Sequence, residues 1–422
     1  MKSTLLSSIS LISLLFLISL NTQAQDTVRV MHYNLLNYGN CSGVTTTQKD
    51  GWLETVASYY KPDILTVNEM SDRIVFANRI RTRALTYGDM EYTSFTNTTS
   101  SSIVNMLFYN PNKFGYKDVI KIGTALRDIN VYTLYHLNSI QNDDTVFLYC
   151  IVAHLKASND SGSQNQRSVA AQQIMNWMTN HPDAGGNFLL LGDLNIYGGN
   201  EGAWVNLVNN TNAIRFYDPI GLTNGWNAGN VKYMTQSTRC SGVGDCGVSG
   251  CLDDRFDFIL PADAIMSGTD GISYVTNSYA SLGNNGNIPF NGNLVTNCSV
   301  PNNICSALAN MSDHFPVVME LAFLRSNGID DLRAQIPDMK LQANNPFGDQ
   351  LKVRWEKTTA GPTQVKWQLL DTKGKQCFLK QETLQTQKGE LLLSSAQLPA
   401  GLYLLRVVDD KGRQLQQKLI KM

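Results

Sequence analysis

Short apolar runs recur through the first three quarters of the chain, and several of them adjoin residues with reactive side chains. Three such segments are 64–69, 189–195 and 312–317. Each combines an apolar run of strand length with carboxylate, carboxamide or imidazole groups at one end. Strands of a sheet converge, so these polar ends can meet in one cleft. Several carboxylates in one cleft need a cation to offset their repulsion, which indicates a divalent metal and a phosphate-bearing substrate.

Strand and helix patterns alternate between residues 28 and 323. Apolar residues at positions 52, 53, 56, 59 and 60 have helical spacing, and Pro62 ends that helix. The predicted helices are 50–60 and 167–179, and the predicted strands are 28–34, 64–67, 102–109, 146–153, 188–191, 255–260 and 316–323. This interleaving predicts a mixed-sheet α/β layered fold. The Gly-, Asn- and Ser-rich stretches 221–250 and 281–303 are typical of long surface loops that shape substrate sites.

The pattern changes near residue 325. Beyond it, apolar and polar residues alternate as in strands at 351–355, 365–369, 391–393 and 402–408. This predicts a small all-β sandwich of roughly 80 residues. The region lacks His and any acidic cluster of catalytic type, which indicates a non-catalytic module. We therefore predict a catalytic domain at 25–325, a linker at 326–340 and a β-sandwich domain at 341–422.

The N-terminus has the features of a secretion signal. Lys2 is followed by an uncharged apolar run at residues 5–20 and by a small-residue cleavage pattern at Thr22-Gln-Ala24. A membrane anchor is the alternative, but the run is shorter than the ~20 residues of a spanning helix, and no basic stop follows it. We predict that residues 1–24 are a cleaved signal peptide. The mature protein is then expected to be secreted or held at the cell surface, without stable membrane insertion.

Eight cysteines fit export to an oxidising compartment, where thiols pair. Cys298 and Cys305 are expected to close a short loop, and the cysteines at positions 240, 246 and 251 crowd another. Zinc is the rival interpretation of that cluster, but its spacing has no CxxC pair and no His is near. Disulfides are therefore favoured there, with the pairing open. Cys150 lies inside an apolar strand and is predicted to be a free buried thiol.

The net charge differs between the two predicted domains. Residues 25–325 carry 18 Lys and Arg against 25 Asp and Glu, a balance of −7, whereas residues 326–422 carry 15 against 10, a balance of +5. An acidic catalytic domain is a poor general binder of polyanions, although a metal ion and a local basic rim can still support a nucleic-acid substrate. The arginines at positions 73, 79, 81 and 83 either form such a rim or lie on a solvated helix face.

Six motifs occur in order between residues 28 and 323. They are Met31-His-Tyr-Asn34, Asn68-Glu69, Ala153-His154-Leu, Gly192-Asp193-Leu-Asn195, Arg255-Phe-Asp257 and Ser312-Asp313-His314-Phe-Pro-Val. In this order they resemble the endonuclease/exonuclease/phosphatase superfamily, which includes pancreatic-type deoxyribonucleases, exonuclease III-type repair enzymes, secreted sphingomyelinases and inositol-phosphate phosphatases. The resemblance implies a four-layer α/β sandwich of deoxyribonuclease I type. It also implies hydrolysis of phosphoester bonds by in-line attack of water.

The same resemblance implies a divalent ion, Mg²⁺ or in some members Mn²⁺ or Ca²⁺. Its ligands would be Glu69, Asp313 and Asn34, whose oxygens suit a hard cation. His314 would be the general base, because an imidazole with an ordinary pKa near 6.5 can take a proton from water at neutral pH. Asp257 would bind the other ring nitrogen, which fixes the tautomer and stabilises the imidazolium.

Three further residues gain roles from the resemblance. Asp193 would position the attacking water, and Asn195 would donate to a phosphate oxygen. His154 resembles the second histidine of the deoxyribonuclease and sphingomyelinase branches, where it would stabilise the phosphate or assist the leaving group. In deoxyribonucleases a glutamate on an earlier strand partners this histidine, but the corresponding segment, residues 101–109, has no acidic residue. Structural interpretations stay open, since Asp and Asn also favour turns, Asp257 could pair with Arg255 and His154 could be a core histidine.

The C-terminal end carries a separate pattern. It consists of Ala-Gly-Leu-Tyr-Leu-Leu-Arg-Val at 400–407, Lys-Gly at 411–412 and Lys-Leu-Ile-Lys-Met at 418–422. This pattern resembles the C-terminal sorting domain of the type IX secretion pathway in Bacteroidetes. The resemblance implies recognition by the secretion machinery at the outer membrane, often followed by removal of the domain. A carbohydrate- or surface-binding β-module is the alternative.

These observations predict an exported metal-dependent phosphodiesterase that acts on nucleic acid, an extracellular nuclease. A sphingomyelinase-type phosphodiesterase that acts on phospholipid headgroups is the alternative. A binding protein on a catalytically dead scaffold is the alternative from another class. The retention of Glu69, Asp193, Asp257 and His314 argues against that last alternative.

Overall fold

The computed structural model describes residues 25–141, 144–181, 186–222, 228–242, 244–294, 298–324, 339–357, 361–371, 375–409 and 414–422. The predicted signal peptide at 1–24 lies outside these residues. So does most of the predicted linker, although the first strand of the C-terminal region already begins at Met339.

Strands and helices alternate up to residue 324. The strands are β1 (Gln25–Tyr38), β2 (Ile64–Ser71), β3 (Glu91–Tyr92), β4 (Ile103–Tyr109), β5 (Phe114–Ile122), β6 (Ile129–Gln141), β7 (Asp144–His154), β8 (Phe188–Asp193), β9 (Asp257–Pro261), β10 (Ile272–Tyr274), β11 (Ala280–Ser281) and β12 (Val317–Leu324). The α-helices are α1 (Thr46–Tyr60), α2 (Ile74–Arg83), α3 (Ser161–Thr179), α4 (Gly202–Val208), α5 (Asp263–Ser267) and α6 (Asn302–Met311), and a 3₁₀ helix spans Ala228–Tyr233. Among the described helices, none has the length and apolar character needed to cross a bilayer.

The strands form two mixed sheets. The first has the order β10-β12-β1-β2-β4-β3, with β11 also paired to β12. The second has the order β5-β6-β7-β8-β9. Within them, β1 with β2 and β7 with β8 are parallel pairs, and the other neighbours are antiparallel.

Three apolar clusters define four layers. One cluster lies between the two sheets and includes Val30, Ile64 and Leu189. A second joins the outer face of the first sheet to α1, α2 and α6, and a third joins the outer face of the second sheet to α3 and α4. The layers are therefore helices, sheet, sheet and helices. This confirms the predicted four-layer α/β sandwich.

The two predicted helices begin earlier than the apolar spacing indicates, because polar caps set their starts. Thr45 caps α1 in a capping box with Gln48, and the Asp160 carboxylate caps α3 by accepting from the backbone N–H of Ser163. Helix α2 and the hairpin of β5 and β6 were not predicted as separate elements. The hairpin is mostly half-exposed on β5, so its apolar signal is weak.

The C-terminal region is an all-β sandwich, as predicted. Its strands are β13 (Met339–Ala343), β14 (Gln350–Lys357), β15 (Thr363–Asp371), β16 (Gln376–Leu384), β17 (Lys388–Ser394), β18 (Gly401–Asp409) and β19 (Gln414–Lys421). They form sheets of order β13-β14-β17 and β16-β15-β18-β19. One apolar cluster holds Val353 of the first sheet against Trp367 and Leu405 of the second.

Disulfides form within the predicted cysteine cluster. Cys240 pairs with Cys251, and Cys246 pairs with Cys41 in the loop that follows β1. Cys150 is a free thiol inside β7, fully buried as predicted, and burial raises its pKa. Cys298 and Cys305 carry free thiols, so the expectation that they close a loop is wrong, and Cys377 is also a free thiol.

Candidate active site

Strand alternation carries polar residues of the first sheet into the space between the sheets. Val28 and Val30 of β1 belong to the intersheet core, so the same face continues with His32 and Asn34. The parallel register of β1 and β2 sets Asn34 beside Asn68. Each of these polar residues therefore lies at the end of an apolar strand face.

The second sheet contributes the opposing groups. Its register sets Asp193 of β8 between His154 of β7 and Asp257 of β9. Gly192 permits the close approach of β7 and β8, because a Cβ at this position would lie 1.9 Å from the carbonyl oxygen of Ala153. The close packing of these two strands therefore requires glycine at this position of the Gly-Asp-Leu-Asn motif.

Asn34 joins the groups of the two sheets. Its Nδ2 donates to Glu69 Oε1 and to Asp193 Oδ2, each at 3.0 Å, and lies 3.5 Å from Nε2 of His314. Its Oδ1 accepts from the backbone N–H of Leu36 at 3.0 Å. Glu69 and His314 therefore share one pocket, as the sequence motifs predict. In this arrangement the Asn34 oxygen faces Leu36, and its role as a metal ligand stays a prediction.

A backbone irregularity directs Glu69 into the pocket. Strict alternation would point Glu69 away from the face that Asn68 occupies. The pairing register shifts between Val67 and Met70, and Glu69 has a left-handed φ of 58°. This strained bulge turns the carboxylate inward, where Oε2 also accepts from the backbone N–H of Asn37 at 3.0 Å.

Asp257 and His314 form a buried pair. His314 Nδ1 lies 2.7 Å from Asp257 Oδ2, and both side chains are at most 4 % exposed. Burial alone would lower the pKa of His314, but the carboxylates of Asp257 and Asp193 outweigh it and hold that pKa well above its ordinary value. Arg255 pairs with Asp218, with its two terminal nitrogens each 2.8 Å from a carboxylate oxygen.

Asp193 is held by the backbone and by Asn68. Its N–H donates to Asn68 Oδ1 at 2.8 Å, and its Oδ1 accepts from the N–H of Asn195 at 3.1 Å. Burial raises the pKa of Asp193 to about 7, against the lowering effect of His314. The Asn195 side chain is buried and donates to the Leu155 carbonyl at 3.3 Å. Its donation to a phosphate oxygen stays a prediction.

His154 faces two carboxylates. Its Nε2 lies 3.8 Å from Glu69 Oε1 and 3.6 Å from Asp193 Oδ2. Its Nδ1 is buried without a hydrogen-bond partner among the described residues, so the glutamate that the deoxyribonuclease pattern expects has no counterpart there. Burial, together with the nearby Arg127 guanidinium, holds the pKa of His154 well below its ordinary value.

Asp313 precedes His314 in the chain, and its carboxylate lies near the imidazole ring. Its Oδ2 accepts from the backbone N–H of Val248 at 2.8 Å and from the Gln236 amide at 3.4 Å. Its Oδ1 is buried without a hydrogen-bond partner among the described residues and lies 4.0 Å from Nε2 of His314. An unpartnered buried carboxylate oxygen fits a residue that binds a cation.

The donor set fits a divalent metal. Glu69, His154 and Asp193 each offer one ligand atom, and these atoms lie within 4.8 Å of one another. Carboxylate oxygens suit Mg²⁺, Mn²⁺ and Ca²⁺, and several uncompensated carboxylates in one buried pocket repel one another without a cation. Glu69 belongs to this group and to the ligand set predicted from the motifs. His154 and Asp193 were predicted to be catalytic.

Several site residues were not predicted. Gln236 contacts His314 at 2.7 Å, His32 Nε2 lies 3.8 Å from Asp257 Oδ1, and Asn68 holds Asp193. Asn68 and His32 stand next to predicted residues on the alternating faces of β2 and β1, and that alternation could have indicated them. Gln236 lies in a stretch predicted as a surface loop, and no periodic signal distinguishes it.

Several solved structures are similar to this chain, and three of them are given as examples. An endonuclease/exonuclease/phosphatase from Beutenbergia cavernae is 14% identical with a TM-score of 0.42, and the alignment covers 93% of this chain and 99% of that one. TDP2 from D. rerio, complexed with a single-strand DNA product, is 12% identical with a TM-score of 0.46 and coverages of 70% and 98%. A mannosyl-6-phosphatase from Bacteroides thetaiotaomicron is 13% identical with a TM-score of 0.42 and coverages of 70% and 100%. No curated protein matches the chain.

The C-terminal domain has a family match. Residues 345–422 match the secretion system C-terminal sorting domain. The match covers β14 to β19 of the sandwich, including the three segments of the C-terminal pattern. The predicted sorting domain is thereby confirmed, and this chain carries the signal for type IX secretion to the cell surface or the exterior.

Proposed function

We propose that the protein is a secreted, divalent-metal-dependent phosphodiesterase that hydrolyses phosphoester bonds by in-line attack of water. The observation that carries this proposal is the 2.7 Å contact between Asp257 and His314, beside carboxylates that share one pocket. A buried carboxylate–imidazole pair supplies a base, and the oxygen donors suit a cation that binds phosphate.

The metal would be held by Glu69, with oxygen donors drawn from Asp193, Asn34 and Asp313. When bound, the ion would neutralise the carboxylates and stabilise negative charge that develops on the phosphoryl and leaving oxygens. The bulge at Glu69 and the two N–H groups of Asn34 keep the carboxylates of the two sheets at fixed positions before a substrate arrives.

His314 would take the proton of the attacking water at Nε2. Asp257 accepts from Nδ1–H, so the proton-free nitrogen faces Asp193 and Asn34. The raised pKa makes this imidazole a stronger base once it is deprotonated. His154 would donate from Nε2 toward the phosphate or the leaving oxygen, and Asn195 would assist by hydrogen bonding.

Nucleic acid is the first substrate class. Two features support this class. His154 resembles the second histidine of the secreted deoxyribonuclease and sphingomyelinase branches, and the chain carries an export signal. A hydrolase delivered to the cell exterior meets polymeric phosphodiesters there, and an extracellular nuclease would cleave them.

A phospholipid headgroup is the second candidate, and one surface feature favours it. Ile74 and Val75 open helix α2 five and six residues after Glu69, and they are 50 % and 51 % exposed beside Arg73. An exposed apolar pair next to a cation is suited to a membrane surface. The balance of −7 in residues 25–325 also weakens binding to a long polyanion.

A non-catalytic binding protein is the candidate from another class. A binding scaffold has no need to bury Asp193, Asp257, Asp313 and His314 together, because each buried charge destabilises the fold unless it is paired. A binding protein would retain affinity for nucleic acid or lipid while showing no turnover.

The experiment that tests the proposal is a substrate panel. Purified mature protein would be assayed with Mg²⁺, Mn²⁺ and Ca²⁺ on DNA, RNA, sphingomyelin and small phosphomonoesters. Hydrolysis of a diester that EDTA abolishes supports the proposal, and its substrate decides between nuclease and phospholipase-type activity. Turnover of phosphomonoesters alone overturns both substrate classes, and no turnover on any substrate overturns the enzyme itself.

A further inference from the structure

Between β8 and β9, residues 235–242 and 244–251 belong to a loop that contacts His314. Gln236 forms isolated β-bridges with Asp254 on one side and with His314 on the other. Its N–H donates to the Asp254 carbonyl at 3.0 Å, and the Asp254 N–H donates back at 2.9 Å. The carbonyl of the preceding residue, Thr235, accepts from the Phe315 N–H at 2.7 Å. The backbone at Gln236 is therefore fixed against the strand segments that carry Asp257 and His314.

The neighbouring threonines extend this attachment to the catalytic pair. Thr235 Oγ1 accepts from the backbone N–H groups of Phe256 and Asp257 at 3.0 and 3.1 Å. Thr238 donates from Oγ1 to the Ser312 carbonyl at 2.8 Å, and its N–H donates to the Asp313 carbonyl at 3.0 Å. Residues 235–238 are thus hydrogen-bonded to the backbone segments that precede and include Asp257 and His314.

Two disulfides fasten the far part of the same loop. The Cys240–Cys251 disulfide joins the two ends of this part of the loop, and the Cys41–Cys246 disulfide links it to the segment after β1. Asn37, whose N–H donates to Glu69, lies near the end of β1, four residues before Cys41. The loop therefore has covalent links that a mobile surface loop would lack, and they restrict the positions open to Gln236.

The side chain of Gln236 lies against His314 and Asp313, two residues of the candidate active site. Its Nε2 is 2.7 Å from His314 Nε2 and 3.4 Å from Asp313 Oδ2, and the residue is half-buried. During turnover, His314 Nε2 would accept from the attacking water, and Asp313 would bind the metal. Both N–H groups of the amide would then lose their present acceptors and would be available to another one.

We propose that Gln236 is a substrate-contacting residue whose carboxamide N–H groups bind a non-bridging phosphoryl oxygen, and that the disulfide-fastened loop positions it. This inference rests on the proposed phosphodiester hydrolysis. The amide is neutral, so it can leave His314 for an anionic oxygen without leaving a buried charge unpaired. A charge-assisted hydrogen bond is stronger than a neutral one, which favours the phosphoryl oxygen as the final acceptor.

The first test compares Gln236→Ala with Gln236→Glu. Loss of a hydrogen bond to a charged group predicts a fall in kcat/KM of roughly 10- to 100-fold for the alanine variant. The glutamate variant has nearly the same shape but repels the phosphate, so it is expected to be slower than the alanine variant by a further ~10-fold. Gln172→Ala, on the exposed face of α3, is the matched control and should match the wild type.

The order of the two variants separates the proposal from a structural role. A residue that merely caps His314 would be replaced better by glutamate, whose carboxylate can accept from the imidazolium. Glutamate more active than alanine, or both within twofold of the wild type, overturns the proposal. A wild type without phosphodiesterase activity under any metal is a different outcome, because that result removes the proposed function rather than the role of Gln236.

The second test examines the loop. Cys240→Ser with Cys251→Ser removes the disulfide between these positions, and circular dichroism would verify that the fold persists. If the loop positions Gln236, adding Gln236→Ala to this variant lowers kcat/KM by less than twofold, because the contact is already lost. The full 10- to 100-fold effect in the serine background overturns the positioning role of that disulfide.

Discussion

The carboxylate of Asp257 lies 2.7 Å from Nδ1 of His314, although 57 residues separate them in the chain. Asp257 begins β9 in the second sheet, whereas His314 precedes β12 of the first. The contact therefore bridges the two sheets at the end of their shared core. It fixes Nε2 as the ring nitrogen of His314 that faces Asp193 and Asn34.

The first prediction concerns this contact. Asp257→Asn keeps the shape of the side chain but removes the acceptor that selects the Nδ1–H tautomer, so kcat should fall by ~10²-fold or more. His314→Ala combined with Asp257→Asn should be no slower than His314→Ala alone, because both changes disable one unit. Steady-state kinetics of the three variants would check this. Independent, multiplying losses would contradict a shared role.

The second prediction concerns metal binding without reference to turnover. Protein dialysed against EDTA should gain thermal stability on addition of Mg²⁺ or Mn²⁺, because an ion that binds the folded state alone stabilises it. At a concentration 100 times the Kd, the rise in Tm should be roughly 5 °C. Differential scanning calorimetry measures it.

Two variants that each replace a carboxylate by the matching carboxamide test whether the ion that raises Tm binds at Glu69. Glu69→Gln should abolish the rise in Tm, whereas Asp89→Asn, at an exposed carboxylate outside the pocket, should retain it. An equal rise in both variants would place the ion somewhere other than at Glu69.

The third prediction concerns His32. This histidine is fully buried, with Nδ1 2.9 Å from Thr66 Oγ1, and burial lowers its pKa to about 4 despite the nearby Asp257. The unfolded chain, with an ordinary His pKa near 6.5, binds more protons between these values, so the free energy of unfolding should fall as the pH falls from about 6.5 to about 4. The contribution of His32 to that fall is on the order of 3 kcal/mol.

Urea unfolding at neutral and acidic pH, in the presence of EDTA, isolates this effect. His32→Gln should lose less stability on acidification than the wild type does, and the difference between the two is the His32 contribution. His181→Gln, at an exposed histidine, should behave as the wild type does. Equal acid sensitivity of all three proteins would show that folding does not lower the pKa of His32.

The fourth prediction concerns export. Deletion of residues 345–422 removes the sorting domain, so the protein should remain inside the cell envelope instead of reaching the surface or medium. The catalytic domain has its own core clusters and should keep its activity in extracts. Immunoblots of cell and medium fractions check the location. Unchanged recovery from the medium would contradict a sorting role.

Much of the site follows from strand alternation that is visible in the sequence. An apolar face that ends in a polar residue predicts that this residue lies at the edge of the core, and Asn34, Asp193 and Asp257 do so. The helix starts were predicted less well, because Thr45 and Asp160 cap their helices through local hydrogen bonds that periodicity does not register.

Other features depend on contacts that no local pattern encodes. The inward direction of Glu69 arises from a bulge with positive φ, against the alternation of β2. The Cys41–Cys246 disulfide joins residues 205 positions apart, so spacing alone left the pairing open. Gln236 enters the site because long-range hydrogen bonds and disulfides fasten a Gly- and Ser-rich stretch, whose composition indicates only a surface loop.

The most direct test is the rate of phosphodiester hydrolysis by the full mature protein and by His314→Ala, measured with Mg²⁺ and with EDTA on the substrate that the panel identifies. We predict Mg²⁺-dependent turnover by the wild type, its loss with EDTA, and a fall of ~10²-fold or more in the variant, with His181→Ala unchanged. Near-normal turnover by His314→Ala, or turnover that EDTA leaves intact, would contradict the account.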